Sequence, residues 1–290
     1  MNYEVEHVCA AQAELGEGPV WHPDEQQLYF LDITKGRQHR FNPRTGAFVT
    51  TNLGLMVGSM GVRAAGGWVM ATEKGFALWD PANDHMEMIG DPDADESSEG
   101  VRFNDGKTDP QGRFWAGKMS STFTNGLYRL DADHSIHRME TGIGTSNGLG
   151  WSPDHRTFYF TDSPTLKIYA YDYDPSSGAI HNRRVFVEIP EGDGLPDGLA
   201  VDSEGCVWSA RWGGWKVTRY RPDGSIDCEI KLPVELVTSC AFGGPDLTEL
   251  YITSAYIEVP AERRGQQPLA GDVFRVKTGV RGLPEPKYLG

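Results

Sequence analysis

A short pattern recurs six times along this chain and leaves few folds open to it. Its clearest copy is Pro196-Asp197-Gly198-Leu199-Ala200-Val201-Asp202-Ser203-Glu204-Gly205-Cys206-Val207-Trp208: a polar residue, a short apolar strand, an Asp-rich turn, then a second strand carrying an aromatic. The same order occurs from Asn147 to Phe160, from Asn104 to Trp115 and from Glu17 to Phe30. The second strands start at residues 28, 68, 114, 158, 207 and 250, which are 40, 46, 44, 49 and 43 residues apart. A third strand follows each, as in Gln38–Phe41, Phe76–Trp79, Leu127–Leu130, Ile168–Tyr171, Val217–Tyr220 and Val273–Val276. Segments such as Arg184–Val187 and Asp227–Ile230 supply fourth strands, and turns such as Arg221-Pro222-Asp223-Gly224 end the third ones. Units of this length with four short strands predict an all-β fold, a six-bladed β-propeller with four-stranded blades. Residues 1–290 are expected to form a single domain. The stretch Tyr3–Val8 reads as a strand without a local partner, so it is expected to join the last blade and close the ring.

Composition narrows the partners. Lys and Arg total 27 against 41 Asp and Glu, a net charge of -14 that disfavours nucleic acid and anionic lipid and favours cations. No apolar run is long enough to span a bilayer, and Met1–His7 lacks the features of a secretory leader, so a cytoplasmic protein is expected. The cysteines at 9, 206, 228 and 240 show no CxxC spacing and are expected to be reduced and mostly buried. The acidic stretch Asp91–Glu96 begins like a calcium loop, but Glu96 replaces the required glycine and Arg102 stands at the bidentate position; it reads as a solvated loop. A longer excursion, residues 255–270, separates two strands of the last unit.

In a propeller the first strand of each blade lines the axis, so equivalent positions form a ring. Glu17, Asn104, Asn147 and Asp197 lie 11, 10, 11 and 10 residues before their second strands and are expected at one depth. The same offset falls near Gly58 and Cys240 in the other two units. Carboxylates and amide carbonyls without histidine or thiolate describe an all-oxygen site suited to Ca²⁺, Mg²⁺ or Mn²⁺. Burying two such acids without a counter-charge would be costly, and a divalent cation supplies it. Gly144-Thr145-Ser146-Asn147-Gly148 matches G-x-S-x-G, yet a turn and a strand follow it where a nucleophile elbow needs a helix. The eight histidines form no i,i+4 pair. Arg102, two residues before Asn104, is placed to aim its guanidinium at a ligand oxygen.

Leu15-Gly16-Glu17-Gly18-Pro19-Val20-Trp21, Arg102-Phe103-Asn104-Asp105-Gly106-Lys107, Ser146-Asn147-Gly148-Leu149, Pro196-Asp197-Gly198 and Thr238–Gly244 together resemble the motifs, in order, of the senescence marker protein/gluconolactonase family, the regucalcin-like sugar lactonases. The resemblance runs from about Leu15 onward. It implies a six-bladed propeller that hydrolyses a sugar lactone with one divalent metal ion (Ca²⁺, Mn²⁺, Mg²⁺ or Zn²⁺); a monomer or weak homo-oligomer with no nucleic-acid or membrane partner is expected. It further implies that Glu17, Asn147 and Asp197 are metal ligands, with Asn104 close to the metal and substrate and Arg102 holding substrate hydroxyls; Asp197 is then expected to be the catalytic base or to orient the attacking water, a metal-bound hydroxide being the competing possibility. The chain departs from the family after Gly117-Lys118-Met119, where an acidic substrate contact and a long lid are missing; Lys118 or Ser121 is left as the replacement. The alternatives are a propeller phosphotriesterase or other ester hydrolase, and a calcium-binding propeller without catalysis.

Overall fold

A computed structural model describes residues 3–94 and 100–290. The strand Val5–Cys9 (β1) precedes four four-stranded antiparallel sheets in chain order. These are Gly16–His22, Gln27–Asp32, Arg37–Phe41 and Phe48–Asn52 (β2–β5); Val57–Val62, Trp68–Thr72, Gly75–Asp80 and His85–Gly90 (β6–β9); Arg102–Thr108, Phe114–Met119, Asn125–Leu130 and Ile136–Ile143 (β10–β13); and Ser146–Trp151, Thr157–Asp162, Lys167–Asp174 and Ala179–Glu188 (β14–β17). Then follow Leu195–Val201, Val207–Trp212, Lys216–Tyr220 and Ile226–Lys231 (β18–β21), and Leu236–Gly243, Glu249–Ala255 and Val273–Lys277 (β22–β24). β1 pairs antiparallel with β24, Val5 opposite Val276, and so becomes the fourth strand beside β22, β23 and β24. A single pairing, Trp212 with Leu236, links these last two groups. The excursion after β23 contains one helical turn, Ala261–Arg264.

Burial falls across each group. Every residue of β6, β14 and β22 is buried, whereas the fourth strand β5 is largely exposed. The first strands touch in cyclic order: β2 with β6, β6 with β10, β10 with β14, β14 with β18, β18 with β22, and β22 with β2. Among the described residues six apolar clusters occupy the gaps between neighbouring groups, for example Trp21 and Phe30 against Tyr251, or Trp115 against Trp151 and Phe158. The Asp-rich turns are part of this packing. Asp109 and Asp202 each accept two backbone N–H groups of their own turn and the indole N–H of the tryptophan six residues on, Trp115 at 3.0 Å and Trp208 at 2.8 Å.

The tail forms a crossbar that no repeat predicts. At one side the Gly282 N–H donates to Leu247 O and the Ser203 N–H to Arg281 O, both at 2.8 Å. At the other, the Tyr288 N–H donates to Val62 O, the Leu289 N–H to Gly112 O, and the Tyr288 hydroxyl to Asp131 O at 2.8 Å. Tyr288 is fully buried. Between these anchors Leu283, Pro284, Glu285 and Pro286 wall off a cavity of about 320 Å³ whose far side is lined by Thr108, Trp151, Val201 and Phe242 at the trailing ends of the first strands.

Candidate functional site

Each first strand carries a one-residue irregularity near its start, so that its register against the second strand slips: between Glu17 and Val20, Val57 and Ser59, Phe103 and Gly106, Asn147 and Leu149, Pro196 and Leu199, and Val237 and Cys240. Bulges re-aim the side chains beside them. Glycine permits the close approach of neighbouring first strands here. A Cβ on Gly148 would lie 2.7 Å from Asp197 O, and one on Gly198 would collide with the Ser239 side chain. The residues just before these glycines are Glu17, Val57, Asp105, Asn147 and Asp197.

The pairing with the second strands corrects the sequence offset in one place. Asn104 follows Phe103, which pairs with Lys118, as Asp197 follows Pro196, which pairs with Arg211, so Asn104 and Asp197 hold equivalent positions and Asp105 stands where β2, β14 and β18 carry glycine. In the last unit Thr238 takes the place of Asp197, not Cys240, and its hydroxyl is committed to Gly16 O at 2.6 Å. Sequence reasoning passed over Asp105, which directly follows Asn104.

Glu17, Asn104, Asp105, Asn147 and Asp197 are all buried. The entries to β2 and β14 are pinned alike: Asp32 accepts the Glu14 and Leu15 N–H groups, and Asp162 those of Gly144 and Thr145. A chain of hydrogen bonds then joins the strands. Arg102 Nη1 donates to Asn104 Oδ1 at 2.7 Å and to Phe103 O at 2.9 Å; Asn104 Nδ2 donates to Asn147 Oδ1 at 2.7 Å and to Ser146 O at 2.8 Å. Asn147 Nδ2 donates to Ser163 Oγ at 2.7 Å, and the Ser163 hydroxyl to Pro196 O at 2.5 Å. Among the described residues the Arg102 Nε and Nη2 groups have no protein acceptor, which leaves them for a ligand.

The electrostatics are those of crowded acids. Burial, followed by repulsion from Asp105 and Asp197, holds the Glu17 carboxyl well above the usual range, against the Gly18 N–H and Arg102. Burial and Asp105 do the same to Asp197. Asp105 is pushed by burial up to about 7, with Lys107 and Arg102 opposing, and no hydrogen-bond donor reaches its carboxylate among the described residues. Three carboxylates thus face one close guanidinium. Among the described residues no three His, Cys, Asp or Glu side chains converge tightly enough to ligate a metal by themselves. A mixed set of Glu17, Asp197 and the Asn147 amide oxygen fits a hard divalent cation by donor chemistry and by the missing positive charge.

Other expected residues lie apart from this cluster. Lys118, on β11, is buried with its Nζ 2.5 Å from Asp91 and 3.0 Å from Asp93, and 5.2 Å from the Phe103 ring centroid. Asp93 also accepts the Tyr128 hydroxyl and pairs with Arg138 at 2.5 Å. Asp91 and Asp93 are therefore an anchored segment and not a solvated loop; Asp95 and Glu96 lie outside the described residues. Ser121 stands in the exposed turn after β11 and makes no hydrogen bond to the cluster among the described residues. Ser146, within G-x-S-x-G, is fully buried on a strand that turns into β15, without the helix an elbow requires. All four cysteines are free, three of them buried.

Residues 15–256 match the family model described as the SMP-30/Gluconolactonase/LRE-like region. The chain is 41% identical to the 6-deoxy-6-sulfogluconolactonase of Pseudomonas putida, with 100% of each chain covered. It is 40% identical to a pentonolactonase of Haloferax volcanii, over 97% of each. A solved structure of a calcium-binding protein, regucalcin, from Agrobacterium tumefaciens is similar with a TM-score of 0.94 at 26% identity, covering 99% of this chain and 98% of that one.

Proposed function

The chain belongs to the SMP-30/gluconolactonase/LRE-like family, and from that premise we propose that it is a metal-dependent sugar lactonase that opens an aldonolactone to the aldonic acid. Ester hydrolysis is the activity named for its lactonase relatives. The observation that carries the reading is the joint burial of Glu17, Asp105, Asp197 and an oriented Asn147, with the Arg102 guanidinium facing all three acids. We further read the fold as one domain over residues 1–290, a six-bladed propeller closed by β1. The cyclic contacts of the first strands and the pairing of β1 with β24 support that reading.

Glu17, Asn147 and Asp197 would hold the cation. When bound, a divalent cation supplies Lewis acidity to a lactone carbonyl oxygen. Asp197 accepts a proton from the attacking water as the new C–O bond forms and returns it to the ring oxygen as the ester C–O bond breaks. Arg102 turns its uncommitted N–H groups to the sugar hydroxyls, and the Asn104 amide, fixed between Arg102 and Asn147, lines the same space. Of the two residues expected to replace the missing acidic contact, Ser121 has an uncommitted hydroxyl, whereas Lys118 is engaged by Asp91 and Asp93.

The test is acid release in a pH-stat from a panel of five- and six-membered aldonolactones, using chelated protein and protein restored with Mn²⁺ or Ca²⁺. Hydrolysis that is lost with the metal and returns with it is the expected result. Metal uptake with hydrolysis no faster than buffer, or faster turnover of a phosphotriester than of any lactone, would overturn the assignment.

A further inference from the structure

The hydrogen-bond chain through the site has a direction, and both of its ends are chemically fixed. Arg102 can only donate, and the carbonyl of Pro196 can only accept. Between them, Asn104, Asn147 and Ser163 are linked head to tail at 2.7, 2.7, 2.7 and 2.5 Å. Because Pro196 O needs a donor, the Ser163 hydroxyl gives its proton there and presents a lone pair to Asn147. That selects the amide orientation of Asn147, Nδ2 toward Ser163 and Oδ1 toward the amide N–H of Asn104. Turning the amide over would set two N–H groups of Asn104 and Asn147 against each other and leave Pro196 O without its donor.

We propose that Ser163 is a positioning residue of the site: its hydroxyl, held by the carbonyl next to Asp197, fixes the Asn147 amide with its oxygen turned inward as a cation ligand. Ser163 is suited to this by its placement. It is buried in the short turn Ser163–Thr165 that follows β15, and its backbone N–H is held by Thr145 O at 3.2 Å. The one side chain therefore couples β14, which carries Asn147, to the entry of β18, which carries Asp197. The inference rests on Asn147 being a ligand of the cation. A group that holds a metal ligand in its orientation is commonly worth about 10- to 100-fold in metal affinity.

The experiment is Mn²⁺ binding, followed by the loss of the free-ion EPR signal, in a double-mutant cycle of Ser163→Ala and Asn147→Asp. A carboxylate has two equivalent oxygens and needs no orienting. Ser163→Ala is expected to weaken Mn²⁺ binding by about 10- to 100-fold beside Asn147, and by no more than about threefold in the Asn147→Asp background. Equal losses in both backgrounds, or no loss beside Asn147, would overturn the inference. A wild-type protein that takes up no Mn²⁺ would instead sink the metal reading on which it rests. Should Ser163→Ala fail to fold, the isosteric pair Ser163→Thr and Ser163→Val decides: binding kept by threonine and lost by valine supports the hydroxyl's role, and equal binding refutes it.

Discussion

Replacing Asp105 by asparagine should make the metal-free protein more stable at neutral and alkaline pH while weakening its hold on a cation. Burial moves the Asp105 carboxyl from 3.8 to about 7. Between those values the folded protein keeps a proton that the unfolded chain has released, so stability falls as pH rises through that window and levels off above it. At ~1.36 kcal/mol per unit the full penalty is about 4 kcal/mol. Glu17 and Asp197 compete for the same protons, so this is a ceiling. Asparagine has nearly the same shape and no charge, and it escapes the penalty. In chelator, thermal unfolding from about pH 4.5 to 8.5 should show the two proteins alike at the acid end and Asp105→Asn ahead by up to roughly 8 °C at the alkaline end. Adding Mn²⁺ should close the gap, because ligand binding stabilises the wild type by mass action. Parallel profiles for the two proteins would show that Asp105 is not a buried acid short of positive charge.

Asp197→Ala should lower lactone turnover at least ~10²-fold, the range for losing an acid–base group, as read by pH-stat at saturating Mn²⁺. Lys118→Met should destabilise the protein by about 3 kcal/mol, because it strands Asp91 and part of the Asp93 pairing; denaturant melts measure this, and a raised KM without lost stability would instead make Lys118 a substrate contact. Tyr288→Ala removes a fully buried aromatic and its bond to Asp131 O, and should cost about 3 kcal/mol or more in denaturant melts while kcat at 25 °C is retained.

The strands were legible because the repeat imposes one order of residues on every unit: Phe158–Phe160 and Val207–Trp208 fall where the repeat places them, in β15 and β19. The site was legible in outline, since Glu17, Asn147 and Asp197 sit at one repeat position and share that position in the fold. Asp105 escaped the count because it stands one residue past the shared position, where β2, β14 and β18 carry glycine, and the bulge there re-aims the side chains beside it. The partners of Lys118 were hidden for another reason. Its partners Asp91 and Asp93 are 27 and 25 residues away in sequence, on a segment whose acidity alone suggested water as its neighbour. The Ser163 link was hidden because it joins Asn147 of one sheet to Pro196 of the next.

The crossbar of residues 282–289 bears on how this chain acquires its shape. Val62 and Gly112 are made early, yet the backbone groups they offer to Tyr288 and Leu289 wait for a segment more than 170 residues downstream. β24 likewise must arrive before β1 has a partner. No leading portion of the polypeptide can therefore satisfy all its own exposed edges, and a nascent fragment ending before residue 283 carries an empty slot for an aromatic ring on its underside. Such fragments should be ready clients for chaperones, and exchange of tails between two copies is the failure that this architecture invites.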